Sequence, residues 1–157
     1  MIFCYSASQN SKVYAEVLSG IVDHPVQMLH ANMPEPNRLA FAVRAIWSTL
    51  TKKAVPIINM PVADNFAGFD EIYICGPIWG GQPAGPLRYF ARNIPAKKVH
   101  MILTAGLSHV KYATKGKQML ADAGHTPGFV EVFAVNSKEE IERDVIESHI
   151  RELMGQI

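Results

Sequence analysis

At 157 residues the chain has room for one domain spanning 1–157, on an allotment of roughly 100–200 residues per domain. An apolar fraction of 48% sits at the globular norm and argues against intrinsic disorder. Charge is nearly balanced, with Lys+Arg 15 against Asp+Glu 14. That argues against a nucleic-acid footprint and against the acidic surface of a charge-steered carrier, leaving small-molecule chemistry as the default.

The opening run Met1-Ile2-Phe3-Cys4-Tyr5 has no basic region before it and stops at Ser6. It is too short for a signal-peptide core, and no stretch approaches the ~18 apolar residues of a membrane span. A soluble, cytoplasmic chain that does not engage a membrane is expected. Within that run, Ile2–Tyr5 is the first strand candidate, and a helix follows with the stripe Val13, Val17, Leu18 and Ile21. Val26–His30 is the second strand. The second helix carries Leu39, Val43, Ile46, Trp47 and Leu50 between two irregular stretches, Asn32–Asn37 and Val55–Gly68, with Pro34, Pro36, Pro56 and Pro61. This reads as a long crossover, and the sequence leaves open whether it lines a substrate pocket or forms a homodimer surface.

Glu71–Cys75 is the third strand. Pro86 suits the first turn of a third helix bearing Leu87 and Phe90. Val99–Thr104 is the fourth strand, and a helix from about Tyr112 stops near Gly124, a natural C-terminal cap. Phe129–Val135 is the fifth strand. Ser137 and Glu140 then form a capping box for a last helix with the stripe Ile141, Val145, Ile146, Ile150 and Leu153. Continuous rather than alternating apolar strands imply a sheet covered on both faces. Five strand–helix alternations imply an α/β, doubly wound parallel sheet.

Ligands of such sheets bind beyond the carboxyl ends of the strands, where strand order reverses. Three strand ends carry unusual chemistry. After the first comes Ser6-Ala7-Ser8-Gln9-Asn10-Ser11, hydroxyl and amide donors leading into a helix N-terminus, which suits a phosphate or a plain helix cap. The third ends in Gly76-Pro77-Ile78-Trp79-Gly80-Gly81, where an indole could stack on a planar ring and glycines allow close backbone approach, or the Trp could pack over the sheet edge. The fourth ends in Thr104-Ala105-Gly106-Leu107-Ser108-His109, small residues that expose backbone.

In order and spacing these three loops resemble the flavodoxin-like FMN-binding family, and Arg44-Ala45 with Lys53-Ala54-Val55-Pro56 in the helix-two region resembles its small bacterial subgroup in particular. Ser6, Ser8, Asn10 and Ser11 fit the family's phosphate loop, with Gln9 where glycine is expected. Phe69–Trp79, followed by Pro83, Pro86, Leu87 and Phe90, resembles the family's third-strand segment and the helix after it. Thr104-Ala105-Gly106 resembles the third flavin-contacting loop. The likeness covers essentially the whole chain.

The resemblance implies a flavodoxin-like three-layer sandwich, with five parallel strands in the order 2-1-3-4-5 and helices on both faces. It implies FMN as cofactor, its phosphate held by Ser6, Ser8, Gln9, Asn10 and Ser11. Pro77, Ile78, Trp79, Gly80 and Gly81 would form the ring-stacking segment. Backbone at Thr104, Ala105, Gly106 and Leu107 would meet the pyrimidine edge, and His109 or Tyr112 would cover the other face. Gly80 would let the preceding carbonyl turn toward flavin N5 without a side-chain penalty. A β-carbon at residue 9 costs roughly 1–2 kcal/mol if φ is positive, so weakened rather than abolished FMN binding is expected. The implied function is electron transfer to a redox partner protein or to a small quinone-like acceptor. The alternative is an interaction module of the same fold with weakened or lost FMN binding.

Other doubly wound functions lack their residues: no acidic cluster ends the first strand, and neither G-x-G-x-x-G nor G-x-S-x-G occurs. The six histidines, His24, His30, His100, His109, His125 and His149, show no metal-ligand spacing and read mostly as surface or strand-end residues. Cys4 and Cys75 read as buried thiols, with a redox pair as the alternative should their strands be neighbours.

Overall fold

Short apolar runs separated by helical stripes assemble into one twisted sheet in the computed structural model, which describes residues 1–32, 38–51, 53–95, 97–106, 110–135 and 142–155. In chain order the elements are β1 (Ile2–Cys4), α1 (Asn10–Val22), β2 (Val26–Met28), α2 (Arg38–Leu50), β3 (Glu71–Trp79), β4 (Gln82–Pro83), α3 (Gly85–Arg92), β5 (Lys98–Ala105), α4 (Val110–Asp122), β6 (Thr126–Ala134) and α5 (Arg143–Gly155). The strands lie in the order β2-β1-β3-β5-β6, all parallel, which is the expected 2-1-3-4-5 order. The addition is β4, two residues antiparallel to the end of β3. Pro34, Pro36, Leu107, Ser108, His109 and the capping residues Ser137, Glu140 and Ile141 lie outside the described residues.

Side chains alternate along each strand, so neighbouring residues serve opposite faces. Ile2, Cys4, Tyr73, Cys75 and Ile102 pack with Tyr14, Ala15 and Leu18 of α1 and Ile146 and Ile150 of α5. Phe3, Ile72, Ile74, Met101 and Leu103 pack on the other face with Leu87 and Phe90 of α3 and Met119 and Leu120 of α4. Two filled faces explain why these strands read as unbroken apolar runs.

The second helix departs from its stripe. Val43, Ile46, Trp47 and Leu50 are 59%, 59%, 60% and 76% exposed, pointing away from the core, and the side chain of Leu39 lies outside the described residues. The inward face is polar instead. Buried Ser48 meets the guanidinium of Arg88 on α3, which donates to the carbonyls of Ser48 (2.8 Å), Lys53 (2.8 Å) and Pro83 (2.6 Å) and to Ser48 Oγ (3.0 Å). A buried cation thus sits against carbonyls around the C-terminal end of α2, where the helix dipole is negative. The crossover that follows runs along β2. Asn59 accepts from His30 N–H and donates to the Met28 carbonyl, both at 2.7 Å, closing the edge of the sheet.

Two histidines correct the surface reading. His100 is fully buried in β5, and His125 is buried at the start of the β6 connection. Lys97 N–H donates to His125 Nδ1 and the ring's Nε2 faces the Ala91 carbonyl at 2.6 Å, so the neutral tautomer protonated at Nε2 satisfies both bonds. The cysteines are register partners on adjacent strands, Cys4 opposite Cys75, yet both are free and buried. Burial, with the Glu16 charge adding to it, pushes the Cys4 thiol up to about 12, and burial pushes Cys75 well above its ordinary value. Protonated thiols out of solvent are poor nucleophiles, which leaves them as packing groups.

Candidate functional site

The reversal of strand order falls between β1, whose chain leaves toward β2, and β3 on its other side. The carboxyl ends of β1, β3 and β5 meet there, and their three loops surround one cavity of about 450 Å³. Ser8 and Asn10 line it from the first loop, Pro77, Ile78 and Trp79 from the second, and Thr104, Ala105 and Gly106 from the third; Val135, just beyond β6, completes the wall. Val135 was expected as a strand residue and not as part of a site, because strand order is needed to bring β6 alongside β5.

The first loop turns sharply into α1. Gln9 is the N-cap residue, in the left-handed region at φ 65 and ψ −14, with no side-chain capping bond. Its carbonyl accepts from Lys12 N–H at 3.1 Å and Val13 N–H at 3.3 Å. The earlier N–H groups of the first turn have no intrahelical acceptor and carry the positive end of the helix dipole. Ser6 Oγ is buried without a hydrogen-bond partner. Buried hydroxyls normally have one, so an orphan here marks a place where a ligand acceptor fits. Ser11 is 2% exposed, and its Oγ lies 2.7 Å from Thr104 Oγ1, tying the first loop to the third rather than facing the cavity. Lys12 reaches along α1 to Glu16 at 3.7 Å, and no described lining residue is cationic. An anion at this end would be held by neutral donors.

The second loop is shorter than the sequence suggests. Gly76 to Trp79 belong to β3: Gly76 and Pro77 pair with β5, and Ile78 and Trp79 pair with β4. Gly80 and Gly81, at φ 53 and 77, form the two-residue turn of this small hairpin, a geometry requiring positive φ at both positions. Trp79 is therefore a half-buried strand-end residue, edge-on to Tyr5 at 5.6 Å and 81°. The turn is fastened from two helices. Thr49 Oγ1 of α2 donates to the Trp79 carbonyl at 3.2 Å, and Lys115 Nζ of α4 donates to the Gly81 carbonyl at 2.8 Å. Sequence reading found neither anchor, since the two contacts join residues 30 and 34 positions apart.

Tyr112 lies in the first turn of α4, not in a loop, and its ring edge would be 3.3 Å from a β-carbon at Gly81. The structure thus brings eight expected residues to the cavity. Ser6, Gln9, Ser11, Gly80 and Gly81 do not line it, Tyr112 packs at the turn, and Leu107 and His109 lie outside the described residues. Among the described residues no group of three or more His, Cys, Asp or Glu could hold a metal ion, and no helix is long and apolar enough to cross a membrane.

No family model matches the sequence, and no curated protein matches it. Solved structures do match. A Bacteroides uniformis protein provisionally described as a flavoprotein aligns over 96% of each chain at 17% identity and a TM-score of 0.73. A Lactobacillus acidophilus flavoprotein in complex with FMN aligns over 83% of this chain and 91% of its own, at 20% identity and TM-score 0.62. The two-electron reduced Megasphaera elsdenii flavodoxin aligns over 96% and 99%, at 14% identity and TM-score 0.52. With the strand order, the two helical layers and the cavity at the β1/β3 reversal, these similarities define the architecture: the chain has the flavodoxin-like fold.

Proposed function

We propose that this chain is a cytoplasmic FMN-binding electron-transfer protein, delivering electrons to a protein partner or a small acceptor. The observation that carries the reading is a cavity lined by Ser8 and Asn10 at the N-terminus of α1 and by Trp79, with the buried, unpartnered Ser6 hydroxyl in the same first loop. That donor set fits a phosphate bound by neutral groups, and the indole fits a flat ring. The similarity to the FMN complex of the Lactobacillus acidophilus flavoprotein supports the same assignment.

In this reading Ser8, Asn10 and the first-turn N–H groups of α1 bind the phosphate, with Ser6 Oγ donating from behind. The Ser11–Thr104 hydrogen bond holds the phosphate loop against the third loop. Trp79 covers the ring, and its orientation is set by the Tyr5 edge contact. Backbone at Ala105 and Gly106 faces the polar edge. When bound, FMN supplies the redox chemistry, which belongs to the flavin and is tuned by the site. Thr49 and Lys115 hold the Trp79 and Gly81 carbonyls and so determine which backbone groups the turn presents to the ring.

Titrating the purified full chain with FMN tests this. Saturable quenching of flavin and tryptophan emission is expected, with flavin absorbance retained through gel filtration. Absence of both would overturn the cofactor assignment. One observation favours the second reading, an interaction module without FMN: the exposed apolar face of α2, since patches of that kind mark interaction sites on soluble domains. In that case the titration is silent and α2 becomes protected only with a partner present.

A further inference from the structure

A second concavity lies on the other side of Ile78 and Trp79 from the cavity just described. It has a volume of about 550 Å³ and is lined by Ala42, Ala45, Ile46, Thr49 and Leu50 of α2, Ile78 and Trp79 of β3, and Gly80 of the turn. None of these residues is titratable. Its one side-chain hydroxyl, Thr49 Oγ1, is already engaged by the Ala45 and Trp79 carbonyls. A β-carbon on Gly80 would collide with the Thr49 methyl, so these two residues are in close contact.

The geometry points to a second ligand site here, for an uncharged, flat, hydrocarbon-rich molecule: a one- or two-ring aromatic or quinoid system. The volume falls within the roughly 300–1,000 Å³ of small-molecule sites. A lining with no charge, whose one hydroxyl is already engaged, favours a neutral ligand, because a charged one would lose hydration without compensation. An indole beside aliphatic groups favours a flat ring that can lie against it. A second copy of the chain laid along α2 would bury the whole exposed stripe, Val43 and Trp47 together with the pocket residues Ile46 and Leu50. The pocket is separate from the residues assigned to FMN apart from the shared Ile78–Trp79 wall, the adjoining Gly80, and Thr49, which holds the Trp79 carbonyl.

The probe is menadione, a neutral two-ring quinone, added to the full chain with and without FMN. Trp47→Phe leaves Trp79 as the reporter, because the chain has two tryptophans. Saturable quenching of Trp79 is expected, with amide shifts centred on Ala42, Ala45, Thr49 and Gly80. Ala45→Phe, which fills the pocket, and Ile46→Glu, which charges its rim, should each weaken binding at least tenfold, about 1.4 kcal/mol, while leaving FMN binding unchanged. Three outcomes would overturn the site: quenching that stays linear and equal in the variants, shifts centred on Ser8 and Gly106, or a concentration-dependent dimer that buries α2 and excludes menadione. If menadione binds while FMN does not, the cofactor assignment falls and this pocket stands.

Discussion

Gln9 and Trp79 show how single residues set the terms of the site. Gln9 occupies the left-handed region at φ 65, where a β-carbon costs roughly 1–2 kcal/mol. Its side chain makes no capping bond that would offset this. Gln9→Gly removes the steric penalty at some cost in unfolded-chain entropy, so the fold is expected to be as stable or slightly more stable, and FMN binding equal or tighter. Thermal melting and flavin titration check both, and a large loss of affinity would identify the Gln9 amide as a phosphate contact. Trp79→Ala should weaken flavin binding by about 1–3 kcal/mol, the usual worth of an aromatic stacked on a planar base. An unchanged dissociation constant would place the ring elsewhere.

At the level of elements, the site depends on a small hairpin and on the helix that braces it. The β3–β4 turn is held by Thr49 of α2, and α2 is in turn docked through Arg88. Arg88 is buried, and desolvation, with the nearby Arg92 charge, lowers its pKa from the usual arginine value. Replacing it by methionine keeps the length but leaves the Pro83, Ser48 and Lys53 carbonyls without this donor. Arg88→Met is therefore expected to lower stability by at least about 2 kcal/mol, given the desolvation penalty of orphaned buried acceptors. Urea unfolding measures that loss. Weakened flavin binding in the same variant under folding conditions would show that the brace acts on the site as well as on the fold.

For the whole molecule, the informative cluster sits near the amino ends of β3 and β5, away from the cavity. His100 stacks on Tyr73 at 4.9 Å, and its Nδ1 accepts from Phe129 N–H at 3.2 Å where the β5–β6 register shifts. Its Nε2 lies 3.3 Å from Glu71 Oε2 but outside hydrogen-bonding geometry. Burial lowers the His100 pKa below 6.5, outweighing the opposing Glu71 charge. The unfolded chain therefore binds a proton that the folded chain refuses, so stability is full above 6.5 and declines as pH falls below it. Glu71, held below its ordinary 4.5 chiefly by the Lys98 hydrogen bond, adds a further loss at more acid pH. The melting temperature should fall between about pH 7.5 and about pH 5.5. His100→Gln, which keeps an acceptor for Phe129 N–H without titrating there, should flatten that slope. An unaltered slope would assign the dependence to other groups.

Local pattern determined much of this protein. The strands, the α1 stripe, Pro86 opening α3 and the loop leading into α1 were legible because each depends on neighbours within a few residues. So was the cavity's polar end at Ser8 and Asn10, since ligand loops at strand ends follow from the alternation of elements. Tertiary structure decided what depends on distant partners. It turned the apolar stripe of α2 outward, because the inward face meets the buried Arg88 guanidinium. It drew Trp79 into β3 through pairing with β4, brought Val135 to the cavity wall, and gave Ser11 to Thr104. It also set Cys4 beside Cys75 as inert thiols. Periodicity records which residues share a face, but not which neighbour that face meets.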